Sequence, residues 1–353
     1  MVSWPKVSCL RLFGLLCAFS FAFGSVTSSA QEPIHIGIMA PLSGPFAPLG
    51  AQVQAGVEQA IERSELDVRI SAVDDECNEE QGRAAANQLI GAGVDFVVGG
   101  VCWRPATAAL AVLAFEDIPF FASGVRYGPL TDDAMPGSVF RLNGRDDHQA
   151  RFLADKLIEG ALDLEVGHAF SAANTVILFT DGSYGRTLAE EVAEKLTDVG
   201  RAPALNESFD AENGLDRAAG RTRAEDPDIV MVFAGQADTA LMVSALRQRG
   251  VDVPIVTGDS AMTSEFPLLA DGAADGVVFP RPWSFGAGLV EPSIAATEVG
   301  IARFSGQETG PYQTTVGELS FAENGDVDVA GYLLWTWRNG AIWPADAVPE
   351  ELR

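Results

Sequence analysis

Residues able to do chemistry are few in this 353-residue sequence, and they are scattered. Its three histidines, His35, His148 and His168, stand in no motif that would make one of them a general base or a metal ligand. Gly91-Ala92-Gly93 precedes an apolar run, whereas a dinucleotide-binding fingerprint follows a strand and closes with a third glycine. Gly182-Ser183-Tyr184-Gly185 lacks the residue between glycine and serine that a nucleophile elbow needs. There is no Walker loop and no CxxC pair. No His or Cys stands at ligand spacing from Cys77 or Cys102, so no metal and no cofactor is expected. These patterns direct the search from catalysis toward binding.

The first thirty residues differ from the rest. Lys6 and Arg11 give a basic start, Leu12 to Phe23 form an uncharged apolar run, and Ser28-Ser29-Ala30 offers small residues for a signal peptidase. That is the pattern of a secretory signal peptide over 1–30, cleaved near Ala30 to expose Gln31 and send the chain to the periplasm. The apolar core is short for an uncleaved anchor, and Cys17 follows the bulky Leu16 where a lipobox has a small residue. No later run approaches the roughly 18 apolar residues that span a bilayer, so no membrane insertion is expected after cleavage. Removing the leader takes away Cys9 and Cys17 and leaves Cys77 and Cys102, which in an oxidising compartment can pair in one way only. Such a bridge would add on the order of 3 to 4 kcal/mol. The chain carries 49 acidic and 23 basic residues, a net charge of −26, and loss of Lys6 and Arg11 makes it −28. A surface of that sign repels phosphate backbones and anionic lipid heads, which excludes nucleic acid as an expected partner.

The elements that must position any site follow from hydrophobic period. Short apolar runs at Ile34 to Met39, Val68 to Val73, Val94 to Gly99, Pro119 to Ala122, Thr175 to Thr180, Ile229 to Ala234, Val253 to Thr257 and Gly276 to Phe279 predict strands. Helical segments alternate with them: Ala51 to Arg63, Glu79 to Ile90, Pro105 to Phe115, Asp147 to Glu159, Tyr184 to Val199 and Asp238 to Arg249. Gly91, Gly160, Gly200 and Gly250 suit helix C-caps. The alternation predicts an α/β protein with two doubly wound parallel-sheet lobes, the first series ending near Gly144 and the second beginning at Thr175. In such sheets ligands bind beyond the carboxyl ends of the strands.

At those strand ends the sequence resembles the periplasmic leucine/isoleucine/valine-binding proteins, the solute receptors of branched-chain amino acid ABC transporters. The matching stretches are IGIMAPLSGPFAPLG from residue 36, VDDECNEEQGRAAANQLIGAGVDFVVGGVC from 73, VFRLNGRDDHQARFLADKL from 139, VILFTDGSYGRTLAEEV from 176 and DPDIVMVFAGQADTALMVSALRQRG from 226. They run in family order from Ile36 to about Pro282. The resemblance implies the type I periplasmic binding fold, two lobes joined by a hinge that close on a solute and present it to permease subunits. It implies crossings near Gly144, Pro282 and Glu323, hence lobes of 31–144 plus 283–322 and 145–282 plus 323–353. Cys77 and Cys102 occupy both places of the family's amino-lobe disulfide.

The resemblance also implies a site. Ser43 and Gly44 match the first loop that holds a solute carboxylate, Tyr184 matches an aromatic that covers the ligand, and Asp259 is a near-match for the acid that meets an ammonium. Cys102, Gly124 and Gln236 fall in the same loops. Four positions depart from the pattern: Trp103 replaces a serine, Arg126 a threonine, and Leu49 and Gly235 replace aromatics. Trp103 either stacks on a flat ligand or covers the disulfide. Arg126 either grips a carboxylate with its fork or pairs with one of the chain's own acids. Asp259 can cap the helix that follows it as well as bind, and Asp74 and Asp75 read as loop structure. The segment Val290 to Gly310 keeps one helix of a longer family passage, and Glu318 to Ala341 resembles its closing strands. The expected function is a periplasmic solute-binding subunit of an ABC importer for an amino acid or related small carboxylate, and not an enzyme. Alternatives are a ligand-binding receptor for a membrane sensor and, third, a periplasmic enzyme.

Overall fold

Strands of β-branched and aromatic residues alternate with helices of small and apolar residues through most of the chain. The computed structural model describes residues 33–64, 66–160, 174–282, 288–328 and 331–345. The expected leader, with Cys9 and Cys17, and His168 lie outside those residues. One sheet is wholly parallel, in the order β2-β1-β3-β4-β5, from β1 (Ile34–Ala40), β2 (Val68–Asp74), β3 (Phe96–Gly99), β4 (Phe120–Ala122) and β5 (Val139–Arg141). Helices α1 (Ala47–Arg63), α2 (Glu79–Ala92), α3 (Trp103–Leu113) and α4 (Pro129–Asp132) connect these strands.

After α5 (Asp146–Ile158) the chain builds a second sheet. It contains β6 (Thr175–Phe179), β7 (Leu205–Ser208), β8 (Ile229–Phe233), β9 (Ile255–Thr257) and β10 (Val278–Pro282), all parallel, with α6 (Ser183–Asp198), α7 (Leu215–Ala224), α8 (Gln236–Gln248) and α9 (Phe266–Leu269) between them. Helix α10 (Val290–Phe304) then returns to pack on α1, and a small hairpin, β11 (Tyr312–Thr314) and β12 (Gly317–Leu319), follows it. The tail adds β13 (Tyr332–Arg338) and β14 (Ala341–Pro344) to the second sheet, both antiparallel to their neighbours. The second sheet is therefore mixed rather than purely parallel, because the chain re-enters it through a hairpin.

Each sheet is covered on both faces. Val53 and Val57 of α1 and Ala295, Ala296 and Val299 of α10 pack with Ile36, Ile38 and Phe121 on one face of the first sheet. Ala85, Leu89, Ala106 and Leu113 of α2 and α3 pack with Met39, Val97 and Phe120 on the other. The second sheet is buried in the same manner between α5 and α6 on one face and α7, α8 and α9 on the other. Burial on both faces is why its strands read as continuous apolar runs.

Several details depart from the sequence expectations. Strand β5 escapes a hydropathy reading because it is three residues long and ends in Arg141, and polar edge strand β7 escapes it for lack of apolar residues. Gly91 lies inside α2, and Gly93 is the cap, at φ 71° with its N–H on Ile90 and Leu89. Gly160, Gly200 and Gly250 do take positive φ just past their helices. Helix α3 starts at Trp103 rather than Pro105, with Cys102 as its N-cap. Just past Glu323, the Arg141 N–H donates to Gly325 O at 2.8 Å and the Val327 N–H to Arg141 O at 3.0 Å, so residues 325–327 lie alongside β5.

Candidate functional site

The loops at the carboxyl ends of β1, β3 and β4 and those after β6, β8 and β9 carry the candidate residues, and particular backbone contacts set each loop. In the first, Asp74 at the end of β2 accepts the N–H of Leu42 at 2.8 Å and of Glu76 at 2.9 Å. Burial acts to raise the Asp74 carboxyl, but hydrogen bonds from Ser43, Glu76 and Leu42 outweigh it and hold it below the ordinary range. Ser43 therefore serves Asp74 and sits exposed beside Gly44, which takes φ 71°. Asp75 Oδ1 accepts the Cys77 N–H at 2.9 Å, and Glu76 and Cys77 adopt φ of 48° and 51°. That tight turn brings Cys77 to Cys102; the two form a disulfide with Cα atoms 5.3 Å apart.

The disulfide fixes the start of α3 and with it Trp103. The indole lies 4.7 Å from the Tyr127 ring, and the Arg104 guanidinium is 5.2 Å from the Trp103 ring centroid. Trp103 is half-buried against the core beneath α3, so it packs as a lid on that core whatever else it touches. Gly124, in the loop after β4, donates to Gly100 O at 3.1 Å, close enough that a Cβ would press on that carbonyl.

Two residues on, Arg126 meets Asp259. Its Nη1 donates to Asp259 Oδ2, with 15% of the arginine side chain and 5% of the aspartate exposed. The arginine comes from the loop after β4 and the aspartate from the loop after β9, so the pair joins the strand ends of the two sheets. On the other side Tyr184, in the first turn of α6, donates its hydroxyl to Asp259 Oδ1 at 2.8 Å and lies 3.3 Å from Gln149 Oε1. Burial pushes the Tyr184 phenol up, which keeps it a donor. Gly258 makes this approach possible, because a Cβ there would collide with the Tyr184 hydroxyl. Gln236 opens α8 at the same end of the second sheet, and among the described residues no hydrogen bond joins it to this group.

The loop bearing Arg126 is pinned from below. Arg141 is fully buried; its Nη1 donates to Tyr127 O at 2.6 Å, Nη2 to Gly128 O at 3.0 Å and to Thr131 Oγ1, and Nε to Asp326 Oδ1 at 2.7 Å. The Asp146 N–H holds Arg126 O at 3.1 Å. Asp146 is itself buried, and burial, opposed by Arg126 and Arg141, pushes its carboxyl up to about 6. Its Oδ1 and the Gln149 Nε2 have no hydrogen-bond partner among the described residues. Arg141, Asp146, Gln149 and Ser260, whose N–H meets the Tyr184 hydroxyl at 3.4 Å, were not singled out by the sequence. The available signals were polar residues on apolar faces: Arg141 between Phe140 and Leu142, and Asp146 and Gln149 in register with Leu153.

Of the nine expected binding residues, then, Arg126, Tyr184 and Asp259 form one hydrogen-bonded group, while Cys102, Trp103 and Gly124 come just after β3 and β4 of the first sheet. Among the described residues no cluster of three or more His, Cys, Asp and Glu is placed to hold a metal, and no helix is long and apolar enough to cross a membrane. A family model described as periplasmic binding protein matches residues 33–299. The chain belongs to that family. It is 26% identical to Leu/Ile/Val-binding protein homolog 1 of Brucella abortus, over 93% of this chain and 96% of that one. Solved structures that share its fold include the following three. LivK, a leucine-binding protein from Thermotoga maritima, has a TM-score of 0.74 at 17% identity over 88% of this chain and 97% of its own. LivJ of Streptococcus pneumoniae, solved with isoleucine, has a TM-score of 0.73 at 18% identity over 88% and 98%. A solute-binding protein of an ABC transporter from R. palustris, solved with benzoate, has a TM-score of 0.72 at 15% identity over 88% and 95%. These likenesses establish for the family member the two-sheet type I periplasmic binding fold.

Proposed function

We propose that this protein is the periplasmic solute-binding subunit of an ABC importer and that it holds an amino acid or related small carboxylate between its two sheets. The lobes would be 31–144 with 283 to about 328, and 145–282 with the closing strands β13 and β14. The observation that carries the reading is the Arg126–Asp259 pair, a cation and an anion from opposite lobes meeting at the strand ends where α/β sheets bind ligands. Contacts to both lobes are what allow a solute to drive hinge closure, and no covalent chemistry is needed. The relatives support the general class and leave the ligand between two kinds, since one structural neighbour was solved with isoleucine and another with benzoate.

The test is a thermal-shift screen of amino acids, aromatic acids, dicarboxylates and amides. A ligand at about 100 times its Kd adds roughly 2.7 kcal/mol of stability, a readily measured rise in melting temperature. Arg126→Ala should abolish the rise given by a carboxylate; an undiminished response in that variant removes Arg126 from the site.

A further inference from the structure

We infer that the site selects small monocarboxylates without an α-amino group, because the protein's own Arg126 already neutralises Asp259, the acid that an ammonium would seek there. This rests on the small-carboxylate reading above and narrows it. Asp259 is already engaged at both oxygens and nearly closed off: it is 4% exposed, Oδ2 accepts from Arg126 and Oδ1 from the Tyr184 hydroxyl at 2.8 Å. Arg126 is the opposite case. A guanidinium has five N–H donors, and among the described residues its side chain makes one hydrogen bond, from Nη1 to Asp259. What the pair offers an incoming molecule is therefore donors, in a fork that suits a second carboxylate.

An ammonium would need an acceptor. To reach Asp259 it must displace Arg126 and leave a largely buried guanidinium without its anion, a heavy cost for a desolvated charge. The group does hold one unpartnered acceptor, Asp146 Oδ1. It is a poor ammonium site, because it is buried and the charges of Arg126 and Arg141 already act on it, so a third cation would be repelled.

The experiment is isothermal titration of the full chain with matched ligands that differ only in the amino group: 4-methylpentanoate against leucine, and 3-phenylpropanoate against phenylalanine. At least one des-amino acid should bind about tenfold or more tightly than its amino partner. In Arg126→Met, with Asp259 Oδ2 released, that preference should disappear or invert. An amino acid that binds as well as or better than its partner overturns this inference and leaves the small-carboxylate reading standing. Silence from both members of both pairs overturns the two together. If Arg126→Met keeps the parent's preference, Arg126 is not its source and the inference falls. Should that variant not fold, the comparison on the parent chain still decides.

Discussion

Asp75 has no exposed surface, and its Oδ2 has no hydrogen-bond partner among the described residues, although Oδ1 accepts the Cys77 N–H. Burial therefore dominates, with the neighbouring Asp74 adding to it, and the carboxyl is pushed up to about 6 from an ordinary 3.8. The folded protein keeps this proton to about pH 6, whereas the unfolded chain releases it near 3.8. Stability from this group is then complete below the lower value and is lost as pH rises through the upper one. A shift of this size corresponds to about 3 kcal/mol. An Asp75→Asn variant has no proton to lose, so its stability relative to the parent should rise by up to that amount between pH 4 and pH 7. Urea denaturation at the two pH values measures it, and an unchanged difference would show that Asp75 is solvated in the folded state.

Among the elements, the contact between α1 and α10 shows packing outweighing local propensity. Gly56 sits in the middle of α1, where alanine would ordinarily gain up to about 1 kcal/mol. A Cβ at Gly56 would lie 2.5 Å from the Val290 carbonyl oxygen and 2.6 Å from the Ser293 Cβ. The first is backbone and cannot rotate aside. Overpacking of this kind costs about 1 to 3 kcal/mol, so Gly56→Ala should lower stability overall, by up to about 2 kcal/mol once the propensity gain is set against it, in a urea titration. A gain would mean that α10 lies farther from α1 than described. The same logic applies at the site, where Gly258 leaves room for the Tyr184 hydroxyl to reach Asp259.

The whole molecule carries a net charge of −26. Its self-repulsion is long-ranged and mostly through solvent, so salt should weaken it: the Debye length shrinks from about 30 Å at 0.01 M to about 8 Å at 0.15 M. Many of the chain's ion pairs are exposed and contribute little, such as Arg186 with Asp181 and Glu190. Melting temperature should accordingly rise by a few degrees as salt is increased over that range, while the sheltered Arg126–Asp259 pair changes little. A falling melting temperature would show that surface pairs outweigh the net repulsion.

Sequence alone determined much of this protein, because the determining forces were local or repetitive. Runs such as Val176–Leu178 and Ile229–Val232 are apolar without alternation because both sheet faces are covered, and that pattern survives in one dimension. Cys77 and Cys102 were legible as a pair for lack of other partners outside the leader. Arg126, Tyr184 and Asp259 could be named one at a time from the strand-end loops. Their mutual arrangement could not, since Arg126 and Asp259 are 133 residues apart and meet only after both sheets have formed. The same holds for Arg141, whose buried guanidinium finds the Tyr127 and Gly128 carbonyls and Asp326 from two other parts of the chain. Sequence period records which face of an element is buried. Which charge neutralises which depends on distances across the fold, and only the tertiary structure decided that Asp259 is already paired by the protein's own arginine.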